Sequence, residues 1–394
     1  MAAHDLTPAD LDRLAADAAA EGMAELADAD LDALLGLSDR LDEVALLAMA
    51  HTLGRSGLFA DDASTHPVPE ILAAVGVAPR HRRIVRRWLW ALTREGRLHA
   101  DAAGHRALRH VSAAKLEDAA ADLEEAAAGL RYGPAMSRFL LSAVAYLPEL
   151  LADGISLQAL LFADGDVDAA EDLYRHNVGS RYINRATAAL VRALADRCTG
   201  PGDLRVLEVG AGVGGTTSDV LAALAGVPLD YLFTDVSRFF LDDARARFRE
   251  RSDVRFGLFD VNAEPDRHAY PPGSFDLVLA ANVLHNAHHA GVALGRLHEL
   301  LAPGGWLVFI DHSRDHYALM TSMEFLMSPP AGAPGSGFTD FRAGTDRIFP
   351  TRGEWLDALA GAGFGPVVAL PGPDDPVARF GQFAYAGRAA GVTP

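Results

Sequence analysis

Five side chains able to bind cations, hold hydroxyls or move protons recur beside short β-forming runs in the second half of the chain. Glu208 lies in LRVLEVG, Asp235 ends LDYLFTD, Asp260 ends VRFGLFD, His285 follows FDLVLAAN, and Asp311 ends GWLVFID. Glu208 is followed at once by Gly210, Gly212, Gly214 and Gly215. Glycines there let the chain turn tightly and approach a ligand where a Cβ would collide. An acid directly before them would repel a pyrophosphate, so the pattern suits a cationic ligand better than a dinucleotide. Asp235 stands about where an acid accepts from both hydroxyls of a ribose. Asp260 is placed to accept from an exocyclic adenine amine, and the Val261 amide to donate to a ring nitrogen. A nucleoside bearing a sulfonium and an amino group, as S-adenosylmethionine does, fits this set. Taken singly, each acid is equally a helix cap or turn residue, and only the three on successive strands make a site.

Methyl transfer from a sulfonium is an in-line displacement, so the protein must orient the acceptor and, where needed, remove its proton. His285 in NVLHNAHH lies at the same edge and is a suitable base near neutral pH. Asp311 can bond its other ring nitrogen, giving a His–Asp dyad. Tyr174, Tyr182 and Asn184 precede the glycines and either close over cofactor and substrate or pack between domains. Met320, Met323, Phe325, Leu326, Met327, Phe338 and Phe341 form an apolar substrate wall or ordinary core. His312 and His316 are four apart, but there is no HExxH and only one cysteine, Cys198. No metal is expected.

These residues need a sheet edge to gather them. From Leu204 onward β-rich runs alternate with amphipathic segments, near Thr216 to Leu224, Phe239 to Arg249 and Val292 to Leu301, which predicts βαβ units and a parallel sheet. PVVALPG and GQFAYAGRA read as closing strands. Residues 1–130 read as helical, with VPEILAAVG, HRRIVRRWLWALTREG and a hairpin in RLHADAAGHRALR making a winged-helix-like unit for packing, dimerisation or docking. Arg80, Arg82, Arg83, Arg86 and Arg87 put a basic stripe on it, read as a solvated face or a dock for an acidic partner. Residues 131–200 read as helical linker and lid, broken by the acidic stretch ADGDVDAAED. Residues 201–394 form the cofactor domain.

Composition narrows the classes. Thirty-five Lys and Arg against 53 Asp and Glu give a net charge of −18, which argues against nucleic acid. The single lysine, Lys115, lies far from any phosphate-loop or Schiff-base motif. A lone cysteine, a polar N-terminus and no apolar run of roughly 18–20 residues point to the cytoplasm, away from membranes.

Together VLEVGAGVGGTT, YLFTDVSRFFLDDARARF, FDVNAEP, FDLVLAANVLH and LLAPGGWLVFID resemble the class I S-adenosylmethionine-dependent methyltransferases. They are most similar to the methyltransferase domains of polyketide synthases and nonribosomal peptide synthetases. LPELLADGISLQALLF and EDLYRHNVGSRYINRA look like that family's lid. The resemblance implies a Rossmann-like α/β fold with seven strands, the last antiparallel, and cofactor contacts at Glu208, Gly210, Gly212, Asp235, Asp260 and Asn282. It assigns proton removal to a histidine in NVLH paired with a glutamate. Asp311 stands at the glutamate position and is one methylene shorter, which predicts a longer contact or a bridging water. The function implied is C-methylation in natural-product biosynthesis, on a free or carrier-tethered acyl or peptidyl substrate, with S-adenosylhomocysteine (SAH) as product. O- or N-methylation of a small molecule, by a homodimer, and an inactive cofactor-binding regulatory module are the alternatives.

Overall fold

The computed structural model describes residues 6–162, 167–198, 202–330 and 337–390. Residues 163–166, in the acidic stretch expected to break the lid, lie outside them. Nine strands are described: β1 (His99–Asp101), β2 (Gly104–Arg106), β3 (Leu204–Val209), β4 (Leu229–Asp235), β5 (Val254–Leu258), β6 (Phe275–Ala281), β7 (Leu301–His312), β8 (Phe364–Leu370) and β9 (Gln382–Ala389). The last seven form one sheet in the order β5-β4-β3-β6-β7-β9-β8. Strands β3 to β7 run parallel, and β9 inserts antiparallel between β7 and β8.

The central strands are apolar on both faces because both are covered. Val206, Leu277, Leu279 and Val308 face one buried cluster, whereas Leu207, Val278, Leu307 and Phe309 face another. The alternation is the period-two pleat of a strand. The second face packs on the helices Ala290–Leu300 and Arg352–Gly361, through Leu294, Leu297, Trp355 and Leu359. The first faces Val178–Ala195 and joins, without interruption, the apolar residues of the N-terminal helices Pro8–Ala24 and Leu31–Gly54. From β3 the chain builds outward to β4 and β5, then returns to lay β6 on the other side of β3. That reversal opens a crevice at the carboxyl ends of β3 and β6, where ligands settle in such sheets.

In the N-terminal region, helices Val68–Ala74 and Arg82–Arg94 are followed by the antiparallel hairpin β1–β2. Four of the five arginines of the stripe are engaged in ion pairs. Arg80 bonds Asp153, Arg83 bonds Glu324 at 3.1 Å, Arg86 bonds Asp346 at 2.6 Å, and Arg87 bonds Asp315 at 2.6 Å. Among the described residues only Arg82 of the five has no carboxylate in ion-pair range, and it is exposed. The stripe is spent on carboxylates far along the chain, which a linear reading had no means to pair.

Glu324 is 1% exposed between Arg83 and Arg87. Removing one partner of a buried pair strands the other charges. Glu324→Ala is therefore expected to lower unfolding free energy by about 3 kcal/mol in urea titrations, while Arg82→Ala stays within about 0.5. Equal midpoints for the two variants would mean that these pairs do not clamp the regions together. No helix among the described residues is long and apolar enough to cross a membrane.

Candidate active site

The loop leaving β3 turns at Gly210, with φ +62°, where a Cβ would stand 2.5 Å from the Val283 side chain. Only glycine meets both conditions. Gly212, with φ +54°, has nothing within 4 Å of the place a Cβ would take. It borders a cleft of about 1360 Å³, partly open to solvent, between the ends of β3, β4 and β6. Asp235 lines this cleft and is buried, one carboxylate oxygen accepting from the Gly212 amide (3.0 Å) and the other from the Ser237 amide (2.8 Å). Each oxygen keeps a lone pair for a further donor. Burial raises its pKa above the usual carboxylate range, against the backbone donors. Val236, Phe259 and Val261 supply apolar walls. An acid able to hold two hydroxyls, beside a glycine cradle and a flat apolar slot, fits an adenosyl group. Asp260, by contrast, is exposed, its carboxylate accepting the Asn262 amide in a turn.

Glu208 departs from its expected place. Its carboxylate turns away from the cleft and accepts from the hydroxyls of Thr217 and Tyr231, both at 2.7 Å. It therefore anchors the first helical turn after the glycines to β4. Burial pushes its pKa up to about 7, with the Asp235 charge adding to the rise and the two hydroxyls opposing it. Because the folded value exceeds the ordinary 4.5, the fold favours the protonated acid, and stability falls as pH rises between those values. The loss amounts to roughly 3 kcal/mol once both are passed. Glu208→Gln should abolish that component, so its advantage over wild type in thermal unfolding should grow from pH 5 to pH 8. A constant difference across that range would contradict the assignment.

His285 is carried on a single 3-10 turn, Leu284–Asn286, just past β6, and is 3% exposed. Its Nδ1 lies 2.7 Å from Asp311 Oδ1, and its backbone amide donates to Asp311 Oδ2 at 2.9 Å. The contact is direct, so the shorter aspartate neither lengthens it nor needs a water: double anchorage through side chain and backbone draws the turn onto the end of β7. A carboxylate only accepts, which places the proton on Nδ1 and leaves a lone pair on Nε2. Arg342, fully buried, donates to the carbonyls of His285 (2.7 Å), Ala287 (2.7 Å) and Ile348 (2.9 Å) and pairs with Asp340. It staples the histidine turn in place. No local motif announced it.

His285 borders a second cavity of about 880 Å³, lined also by Ser38, Leu41 and Asp42 of the helix Leu31–Gly54 and by Met323, Met327 and Phe349. Asn282, Tyr174 and Met323 border both cavities, and Leu326 borders the first alone. Asn282 itself takes φ +54° and accepts from Gln382 at 3.0 Å. Met320 and Phe325 are core, and Phe338 lies under Arg342 at 3.7 Å, so the apolar set divides between wall and packing.

The lid residues also divide. Tyr174 sits in a π-helical turn, Asp172–His176, half-buried between the cavities, with burial and the Asp311 charge pushing its hydroxyl up to about 12. Asn184 does not reach either cavity: it donates to the Tyr174 carbonyl and accepts from Thr216, both at 2.8 Å, tying the turn to the helix after the glycines. Tyr182 packs on Gly22 of the N-terminal helix, where a Cβ would come within 2.9 Å of its ring, and lines neither cavity. Among the described residues no group of three metal-ligating side chains converges.

Residues 207–307 match the family described as Methyltransferase domain. Over 328 residues the chain is 32% identical to pyochelin synthetase PchF of Pseudomonas aeruginosa, covering 82% of this chain and 18% of that protein. It is 38% identical over 249 residues to polyketide synthase ThaG of Burkholderia thailandensis, covering 60% of this chain and 4% of the other. The chain thus spans less than a fifth of these curated relatives. The solved CurJ carbon methyltransferase superposes with a TM-score of 0.85 at 22% identity, over 96% of this chain and 99% of that one, which shows the shared fold.

Proposed function

Because this chain belongs to the methyltransferase domains of polyketide and nonribosomal peptide synthetases, we propose that it methylates an acidified carbon with His285 as general base. S-adenosylmethionine, when bound, supplies an electrophilic methyl group on sulfur. Asp235, the glycine turn from Gly210 to Gly212 and the apolar walls Val236, Phe259 and Val261 would hold its adenosine portion, with Asn282 beside the passage to the second cavity. The acceptor occupies that second cavity, next to a carbonyl or thioester that lowers the pKa of its carbon. His285 Nε2 takes the carbon's proton, and Asp311 stabilises the imidazolium that results. Tyr174 and Met323, bordering both spaces, keep water from the junction.

The observation that carries this reading is the buried 2.7 Å pair between His285 and Asp311, with His285 on the wall of the second cavity, which shares Tyr174, Asn282 and Met323 with the first. The CurJ structure, a carbon methyltransferase, gives the likeness a direction. Relatives that are large synthetases support an acyl or peptidyl acceptor carried on a carrier protein. We divide the chain at about residues 130 and 200, the first part serving packing and the wall of the acceptor cavity. Transfer from methyl-labelled cofactor to a β-ketoacyl thioester, with the label located by mass spectrometry and NMR, tests the reading. Label on carbon is expected, and label on oxygen or nitrogen overturns it.

A further inference from the structure

His312 follows Asp311 at the end of β7 and borders the same cavity as His285. Both imidazoles lean on the Phe349 ring, with centroids 5.0 Å away for His285 and 5.3 Å for His312. The His312 amide donates to Asp311 Oδ1 at 2.8 Å, the oxygen that also accepts His285 Nδ1, so one carboxylate holds the His285 ring and the His312 backbone. The polar atoms of His312 differ in surroundings. Nδ1 is walled in without a partner, and Nε2 is the atom left to meet the cavity. A stranded N–H is rarer and costlier in a protein interior than an unused lone pair. The proton therefore sits on Nε2. The neighbouring ring has the opposite arrangement, because Asp311 draws its proton to Nδ1.

From this juxtaposition we propose that His312 Nε2–H donates to the carbonyl oxygen of the acceptor whose adjacent C–H is deprotonated by His285 Nε2, making the cavity selective for enolisable ketones and thioesters. The inference rests on the proposed carbon methylation and adds the residue that stabilises its charge. The C–H bond breaks, its proton goes to His285 Nε2, and its electron pair spreads onto the oxygen facing His312. The carbon then forms the new bond to the methyl group with that pair, and the pair of the broken bond stays on sulfur. Burial, together with the nearby His316 and His285, holds the His312 pKa down at about 3, so the ring is a neutral donor throughout the working range. His316, whose Nδ1 faces Asp42 at 3.3 Å, backs the same wall.

The test uses the full chain with S-adenosylmethionine and the N-acetylcysteamine thioester of 3-oxobutanoate. Loss of one donor to a developing oxyanion lowers kcat by about 10²–10³-fold. His312→Ala should fall within that range with KM changed only a few-fold and SAH affinity, by calorimetry, unchanged. His312→Gln, which offers an amide N–H near Nε2, should recover at least about tenfold of the loss. Nitrogen NMR of the wild type should find the proton of His312 on Nε2 and that of His285 on Nδ1. His312→Ala at wild-type rate, while His285→Ala is inactive, overturns the role of His312 alone. Methylation that survives both substitutions overturns the reading of the whole site.

Discussion

His285→Ala is expected to lower kcat by about 10²–10⁴-fold, the usual worth of a positioned general base. SAH should bind as before, since His285 borders the second cavity and not the cleft that Asp235 lines. The separation between the two readouts carries the weight of this experiment. A variant that loses turnover and SAH affinity together would point to a collapsed turn, an outcome the Arg342 contacts to the His285, Ala287 and Ile348 carbonyls oppose, because they hold the backbone independently of the ring. A kcat within threefold of wild type on the β-ketoacyl thioester would remove His285 from the chemistry.

Asp311→Asn should cost as much or more, about 10³–10⁴-fold in kcat. The carboxylate accepts three N–H groups: the His285 ring, the His285 amide and the His312 amide. An asparagine has one acceptor oxygen and two donor hydrogens, so at least one N–H would meet another N–H. If the amide nitrogen faces the ring, the imidazole must put its proton on Nε2 and can no longer take one from the acceptor. The same exchange in a serine protease triad lowers kcat about 10⁴-fold for that reason. Removing the buried charge also leaves the imidazolium without its counterion. Measured against His285→Ala, the double variant should be barely slower than either single one. Additive losses would show that the two residues do not act as a unit.

Much of the sheet was legible in advance because its strands obey local rules. LDYLFTD forms β4 over the expected residues, and the runs at β3, β5, β6, β8 and β9 end within two residues of their expected limits. Only β7 is longer, reaching back through the Pro303-Gly-Gly turn to Leu301. The glycine loop and Asp235 were legible for the same reason, as they sit at fixed offsets from strand ends. Properties decided by distant partners were not. Glu208 was assigned by type and position to the ligand, yet Thr217 and Tyr231 offer two hydroxyls on the other side. Four arginines of the stripe find acids 70 to 260 residues away, and Tyr182 finds its place against a glycine in the first helix. Side-chain direction and long-range pairing are settled by packing, which periodicity does not encode.

The helix Leu31–Gly54 places Ser38, Leu41 and Asp42 in the cavity beside His285. If that cavity takes the acceptor as proposed, substrate choice and bond-making are written on stretches of the polypeptide separated by more than two hundred residues. Substitutions at Ser38, Leu41 or Asp42 would then change which molecules are admitted while the reactive apparatus stays untouched.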